Sequence, residues 1–209
     1  MAGLATTPGK CIRHSAALAA ALVFLLGLAA IARSDPLDDA IAAQARRDYA
    51  TALRLFRPLA QAGDPVAQKN LGAHYDHGWG VPQDQAEGLR WFRKAADQGY
   101  ADAEFEVGVM YELGRGTPKD YSEAAKWFRK AAEQGHGEAQ GSLGEMYANG
   151  EGVSLDLVQA HLWLSLALMR LPDGMPRTLA GEDRERVSAK MTPAQPAEAH
   201  RLTREWKPK

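Results

Sequence analysis

The sequence predicts an all-α protein, an α-α superhelical solenoid of helix pairs closed by C-terminal capping helices. The first observation is a 36-residue period that runs through most of the 209 residues. The second is that each period contains two amphipathic helical patterns separated by a glycine-rich loop. The third is a hydrophobic content of 45%, which is enough apolar material for a core. Because one helix pair cannot bury its apolar face alone, successive pairs must stack into a solenoid.

Residues 1–34 are predicted to be a signal peptide rather than part of the fold. Residues 15–32 form an uncharged apolar run, and Lys10 and Arg13 precede it, as in a secretory signal. The run is also close to the roughly 20 apolar residues that span a bilayer, so an uncleaved anchor is the alternative. We therefore expect an exported, periplasmic protein, with inner-membrane anchoring as the alternative. Membrane contact is expected only if the segment stays uncleaved.

Residues 35–64 form a degenerate first repeat. Asp48, Phe56 and Gly63 lie 36 residues before residues of the same kind in the next unit. The unit lacks the glycine loop, because Arg46 and Arg47 stand before Asp48. It is expected to be a helix pair that begins the solenoid.

Three clear repeats follow, at residues 65–100, 101–136 and 137–172. Seven columns hold the same or a similar residue in all three repeats, without a gap. Such strict register is typical of stacked structural units. In repeat 1 the columns are occupied by Leu71, Gly72, Tyr75, Gly78, Gly80, Asp84 and Trp91.

Each repeat is predicted to contain two helices, A and B. In repeat 1, Asp64 is the N-cap of helix A and Pro65 its first residue. Asp84 begins helix B, three residues before Glu87. Gly72 lies in the middle of helix A, where it costs about 1 kcal/mol relative to alanine. Its recurrence predicts that two helices approach too closely for a methyl group.

These patterns together resemble the SEL-one-like repeat family, relatives of the tetratricopeptide repeats. The family's helix A, A-x-x-x-L-G-x-x-Y, and helix B, W-F-x-x-A-A-x-x-G, occur here almost verbatim, and residues 103–135 are the best copy. The resemblance covers about residues 38–171. It implies a non-enzymatic scaffold without a cofactor, which binds a protein or peptide partner as an adaptor or regulator in the cell envelope.

The tail, residues 173–209, is predicted to cover the last repeat. Helix B of repeat 3, around residues 161–170, is apolar on more faces than the earlier B helices. A first tail helix is expected over residues 179–191. Thr192, Pro193 and Gln195 predict a cap, a first-turn proline and a capping box for a last helix that ends near Trp206.

The sequence shows no signature of an enzyme, a metal site or a nucleic-acid-binding protein. Serine-hydrolase, zinc-protease and phosphate-loop motifs are absent from it. His74 and His77 lie three residues apart without an identified third ligand, and methionine replaces His74 in repeats 2 and 3, so a buried structural role is favoured. Basic residues follow Trp91 and Trp127, yet 25 basic against 26 acidic residues lack the footprint of a nucleic-acid binder.

A partner is expected along the variable surface of helix A, which lines the concave groove in related tetratricopeptide solenoids. In repeat 2, Phe105, Val109 and Leu113 form an apolar stripe that suits an extended peptide or an amphipathic helix. The alternative is that Phe105 and Leu113 pack between helices. The other candidate residues are Lys69, Asn70, Ala73, Asp76 and His77 in repeat 1, Glu106 and Glu112 in repeat 2, and Ser142, Glu145 and Asn149 in repeat 3.

Two other functions are kept as alternatives. Some cysteine-rich members of the family are associated with activity on cell-wall or beta-lactam substrates, but Cys11 is the only cysteine here and lies in no repeat. A module that binds peptidoglycan or polysaccharide needs an exposed aromatic platform. Trp79, in the loop between helices A and B of repeat 1, is the obvious candidate for such a platform.

Overall fold

The computed structural model describes residues 35–209 and confirms the all-α solenoid. The predicted signal, residues 1–34, lies outside the described residues. Among the helices of residues 35–209, none is long and apolar enough to cross a membrane. The helices of this part are α1 (Pro36–Ala45), α2 (Tyr49–Gln61), α3 (Pro65–His77), α4 (Gln85–Ala96), α5 (Ala101–Leu113), α6 (Tyr121–Glu133), α7 (Gly137–Asn149), α8 (Leu157–Arg170), α9 (Met175–Lys190) and α10 (Gln195–Glu205).

Aspartates start the helices of repeat 1 as the sequence predicts. The Asp64 carboxylate accepts a hydrogen bond from the Ala67 N–H at 2.7 Å, and Pro65 fills the first turn of α3. Asp84 accepts from the Glu87 N–H at 2.9 Å where α4 begins. These carboxylates satisfy N–H groups that have no partner within the helix. The helix starts are therefore fixed by local sequence.

Helices A and B of a repeat touch at the recurring mid-helix glycine. A Cβ atom added to Gly72 would lie 2.8 Å from the ring of Phe92, and one added to Gly108 would lie 2.6 Å from the ring of Phe128. Both rings are buried, with 1% and 0% exposed. The predicted close approach is confirmed, and it explains why glycine is kept in a helix that it weakens.

Within repeats 1 and 2, a hydrogen bond between residues 30 positions apart ties the turn after helix B to helix A. The Gln98 amide donates to Gln68 Oε1 at 2.8 Å, and the Gln134 amide donates to Glu104 Oε2 at 2.7 Å. Each bond joins the end of a B helix to the preceding A helix. The recurring contact holds helices A and B in the same relative orientation in both repeats.

His74 attaches the degenerate pair α1–α2 to repeat 1. Its side chain is completely buried, with Nδ1 2.7 Å from the Trp79 carbonyl and Nε2 3.1 Å from Gln44 Oε1 of α1. The Phe56 ring of α2 packs against it at 5.9 Å. Burial lowers the pKa of the imidazole, because desolvation disfavours the charged form. Both ring nitrogens therefore serve the fold.

The tail helices cover α8, as predicted from its apolar faces. Trp206 packs edge-on against Trp163 with 6.3 Å between the ring centroids. The Arg170 guanidinium lies 4.6 Å from the Trp206 ring. Leu164 of α8 is fully buried, and Ala180 and Val187 of α9 belong to the same apolar cluster. The hydrophobic last repeat is thereby closed at its outer side.

The predicted starts of the tail helices were wrong in detail. α9 begins at Met175, before the predicted residue 179, and α10 begins at Gln195 without a side-chain cap. The Gln195 N–H donates to the Thr192 carbonyl at 3.1 Å and is therefore not free for the Thr192 hydroxyl. Only half of the capping box forms, from the Thr192 N–H to Gln195 Oε1 at 2.7 Å.

Candidate functional site

The exposed surface of α3, α5 and α7, the A helices of the three repeats, is called the helix-A surface below. In repeat 1, Lys69 and Ala73 are half-buried and His77 is exposed. Asn70 is only 8% exposed, and its amide donates to the Val66 carbonyl at 2.9 Å. The expectation that Asn70 lies on the exposed surface was therefore wrong, because its side chain completes a hydrogen bond inside the fold.

Asp76 was also expected on the exposed surface, and the structure corrects this. Its side chain is 2% exposed and forms an ion pair with Arg115, with 3.0 Å between Oδ2 and Nη1. Arg115 lies in the loop after α5, so the pair crosses from repeat 1 to repeat 2. Sequence spacing cannot reveal this contact, because the two residues are 39 positions apart. Asp76 therefore stabilises the repeat interface.

In repeat 2, the predicted apolar stripe is packed at Phe105 and exposed at Leu113. The Phe105 ring packs against Phe128 at 5.6 Å and stacks on His136 at 4.8 Å, so it does lie between helices. Leu113 is 57% exposed. Val109 is half-buried and contacts the core. The stripe therefore changes from packed to exposed along α5.

A cavity of about 330 Å³ opens where α7, α8 and α9 meet. Of the predicted residues, Phe105, Ser142 and Glu145 line it. Asn149 is exposed and lines a smaller neighbouring cleft between α7 and α9. The structure thus brings two of the three repeat-3 candidates together with Phe105 of repeat 2. The other residues of the lining are Glu138, Gly141, Leu164, Leu171, Pro176, Leu179, Ala180 and Asp183.

Carboxyl groups of the helix-A surface have raised pKa values. Burial raises the pKa of Glu106, and the nearby cations Lys69 and Arg115 oppose the rise. Burial, followed by the like charge of Glu151, raises the pKa of Glu112. A carboxylate that loses water contacts holds its proton more tightly. Nearby cations therefore offset only part of the rise in the pKa values of these carboxyl groups.

Glu145 is the most perturbed of these carboxyl groups. Glu145 is exposed at its surface, yet partial burial of its carboxyl group, a hydrogen bond with Asp183 and the negative charge of Asp183 together raise its pKa to about 7. Arg186 opposes the rise and forms an ion pair with Asp183. Two carboxyl groups that share a site cannot both ionise without a cost. An incoming cation would relieve this repulsion.

Leu179 and Asp183 were not predicted as site residues. They lie four positions apart on α9, which places them on one helix face, and both line the cavity. The sequence predicted a helix there and assigned it a covering role only. The four-residue spacing of Leu179 and Asp183 could have identified the shared face. Which neighbouring helix this face contacts depends on how α9 docks on the last repeat.

Trp79 does not form the free aromatic platform that a saccharide-binding module would need. Its ring is half-buried and stacks on Tyr49, with 5.4 Å between centroids and an interplanar angle of 7°. His77 packs against it at 4.5 Å. The aromatic ring is thus used to hold the loop of repeat 1 against α2.

The basic residues that follow the tryptophans also make contacts within the fold. The Lys130 ammonium lies 3.8 Å from the centroid of the Trp127 ring. The Arg129 guanidinium donates to the Tyr147 hydroxyl at 2.5 Å, in the A helix of the next repeat. Such cation–π and hydrogen-bonding contacts stabilise the stack. Within residues 35–209, no group of three or more His, Cys, Asp or Glu side chains is placed to hold a metal ion.

Stacked helix pairs that present one continuous helix-A surface define an α-solenoid repeat protein of the tetratricopeptide-like class. The sequence model of the Sel1 repeat matches residues 43–64, 65–100, 101–136 and 137–170. The chain belongs to the Sel1 repeat family. Proteins of this family are typically non-enzymatic scaffolds and generally mediate protein–protein interactions.

The solved structures that are similar to the chain include two proteins with the same repeat. One is c5321, a protective antigen of uropathogenic Escherichia coli with an SLR fold, at 36% identity and a TM-score of 0.67, over 75% of this chain and 32% of that chain. The other is a Sel1 repeat protein from Oxalobacter formigenes, at 30% identity and a TM-score of 0.70, over 76% of this chain and 61% of that chain. The match thus spans less than two thirds of either relative. A search of curated proteins gave no significant match.

Proposed function

We propose that the chain is a non-enzymatic scaffold of the cell envelope, an adaptor or regulator that binds a protein or peptide partner on its helix-A surface. The observation that carries the proposal is the cavity between α7, α8 and α9, which opens on this surface and combines apolar and acidic side chains. Ligand sites are typically concave and mostly apolar, with a few polar groups that orient the ligand. The family's general role in protein–protein interaction supports the same reading.

The exposed end of the apolar stripe gives further support. Leu113 is 57% exposed at the end of α5, and the half-buried acids Glu106 and Glu112 lie on the same helix. An apolar side chain beside carboxylates offers both contact area and orientation to a bound segment. The exposed part of the Leu113 side chain does not contribute to the packing of the solenoid.

The envelope location rests on the sequence of the first 34 residues. A cleaved signal leaves a mature chain that begins after Ala32 or after Ser34. An anchor leaves the full chain in the membrane fraction. Cell fractionation followed by N-terminal sequencing of the recovered protein distinguishes the two. Recovery of the full chain from the cytoplasm would contradict the envelope part of the proposal.

Partner binding is tested by crosslinking and affinity capture from the native compartment, with the tagged chain and two surface variants. We expect one protein to be captured in stoichiometric amount. Leu113→Ser and Glu106→Gln should reduce its recovery several-fold, because both side chains belong to the proposed surface. Leu155→Ser is the matched control, since Leu155 is 61% exposed but lies in the loop before α8, outside the helix-A surface.

The outcomes separate the scaffold from its alternatives. Recovery that falls in the two helix-A variants and not in Leu155→Ser supports the proposal. Equal recovery with all variants, or turnover of a cell-wall or beta-lactam substrate by the pure protein, would overturn it. Thermal unfolding of every variant shows whether a lost interaction reflects a lost fold.

A further inference from the structure

The cavity has a buried apolar floor, and the apolar surface that the fold leaves open to solvent lies at its edge. Leu164, Leu171 and Ala180 form its buried wall, with 0%, 6% and 5% exposed. Leu179 stands at its edge with 50% of its surface exposed, although α9 is otherwise rich in charged residues. An exposed leucine beside a concave apolar wall is suited to contact with another apolar side chain.

The rim of the cavity is acidic. Of the described residues that line it, Glu138, Glu145 and Asp183 carry carboxyl groups and none is basic. The Asp183 side chain is only 8% exposed, so its position is fixed by the packing of α9. Arg186 pairs with Asp183 but is 61% exposed and lies in the adjacent cleft. The negative charge at the rim therefore exceeds the positive charge close to it.

We propose that this cavity binds an extended cationic peptide segment, with one apolar side chain against Leu179 and a lysine or arginine on the same face of the segment paired with Glu145 and Asp183. Charge complementarity selects this occupant, because a cation offsets the repulsion between the two carboxyl groups. The inference rests on the proposed function and specifies the chemistry of the partner.

The size of the cavity agrees with one anchored side chain and its flanking backbone. Its volume of about 330 Å³ lies at the lower end of the range for ligand pockets, about 300–1,000 Å³. In an extended peptide, alternate side chains point to the same side, so one face of the segment can present apolar or basic groups in succession. The remaining segment would continue along the helix-A surface.

The direct test uses fluorescence anisotropy of the full chain with labelled peptides of defined composition. The probe is an eight-residue peptide that combines leucine and lysine, and the reference peptides replace lysine by glutamate or leucine by serine. We expect each replacement to weaken binding by on the order of tenfold, because each removes one charge-assisted contact or one buried apolar side chain.

Variants of the chain locate the binding. Glu145→Gln and Leu179→Ser are each expected to weaken binding of the leucine–lysine peptide by about tenfold. Glu182→Gln is the matched control, because Glu182 is exposed, follows Gly181 on the same helix and lies outside the cavity lining. Glu138→Gln is a second test of the rim, and circular dichroism confirms that each variant is folded.

The results distinguish this inference from the proposed function. Weaker binding by Glu145→Gln and Leu179→Ser with unchanged binding by Glu182→Gln supports the cavity as the site. No binding of the leucine–lysine peptide, equal binding of the glutamate peptide, or equal losses in Glu182→Gln would overturn it. If the inference fails while partner capture still depends on Leu113 and Glu106, the scaffold function stands and the partner has another chemistry.

Discussion

Gly108→Ala should destabilise the protein, although alanine is the better helix former. The added Cβ atom would lie 2.6 Å from Cδ1 and Cε1 of Phe128 and 3.1 Å from its Cγ. The ring is 0% exposed. To restore an ordinary contact of 3.4 Å, the ring or α5 must therefore move by roughly 0.8 Å inside a packed core.

The magnitude follows from two opposing terms. Overpacking of a core costs about 1–3 kcal/mol, and here the upper end applies because a rigid aromatic ring is the obstacle. The helix propensity of alanine returns up to about 1 kcal/mol. The net loss is about 2 kcal/mol, which corresponds to a decrease in Tm of about 4–8 °C for a chain of this size.

Thermal and urea unfolding, followed by far-ultraviolet circular dichroism, measure this loss. Gly141→Ala is the matched control, because Gly141 lies inside α7 and a Cβ there would meet nothing within 4 Å. This control should gain about 0.5–1 kcal/mol. If Gly108→Ala were as stable as the wild type, or if both variants shifted alike, the explanation of the glycine column by close helix approach would be wrong.

Two further predictions concern buried polar side chains. Arg115→Met should cost about 2–3 kcal/mol in urea unfolding, because the Asp76 carboxylate, 2% exposed, loses the guanidinium at 3.0 Å and keeps only His77 at 3.7 Å. Addition of Asp76→Asn should recover most of the loss, and no recovery would contradict the assignment. Burial lowers the pKa of His74, so the unfolded chain binds its proton more tightly and stability should fall as the pH drops below about 6.5. His74→Met introduces the residue that repeats 2 and 3 carry at this position. The decrease in Tm between about pH 7 and pH 5 should be smaller in this variant than in the wild type. An unchanged decrease would show that protonation of His74 does not cause the loss of stability.

Local sequence was sufficient to predict the repeats. Asp64 and Asp84 cap the helices as expected, and the glycine column marks the helix contact. These features depend on residues close in sequence and on a strict period, which are visible without coordinates. The start of α10 was missed because the Thr192 carbonyl takes the N–H group that its hydroxyl was expected to bind.

The candidate surface was predictable only in part. Helical periodicity placed Glu145 on the exposed side of α7, and the structure agrees. It left Leu113 open between surface exposure and packing between helices, and Leu113 is exposed. It also placed Asn70 and Asp76 there, and both are buried. Their burial depends on side chains from other units, such as Arg115, whose approach the periodicity of one helix does not describe.

The sequence by itself determined the helix pairs, their 36-residue register and their stacking, because helix propensity, capping and apolar spacing act over a few residues. Only the tertiary structure decided that α9 turns Leu179 and Asp183 toward Glu145 and encloses an acidic, apolar cavity. That arrangement depends on the angle at which the tail helix docks on the last repeat. The docking angle is set by the combined packing of α7, α8 and α9, which no single segment encodes.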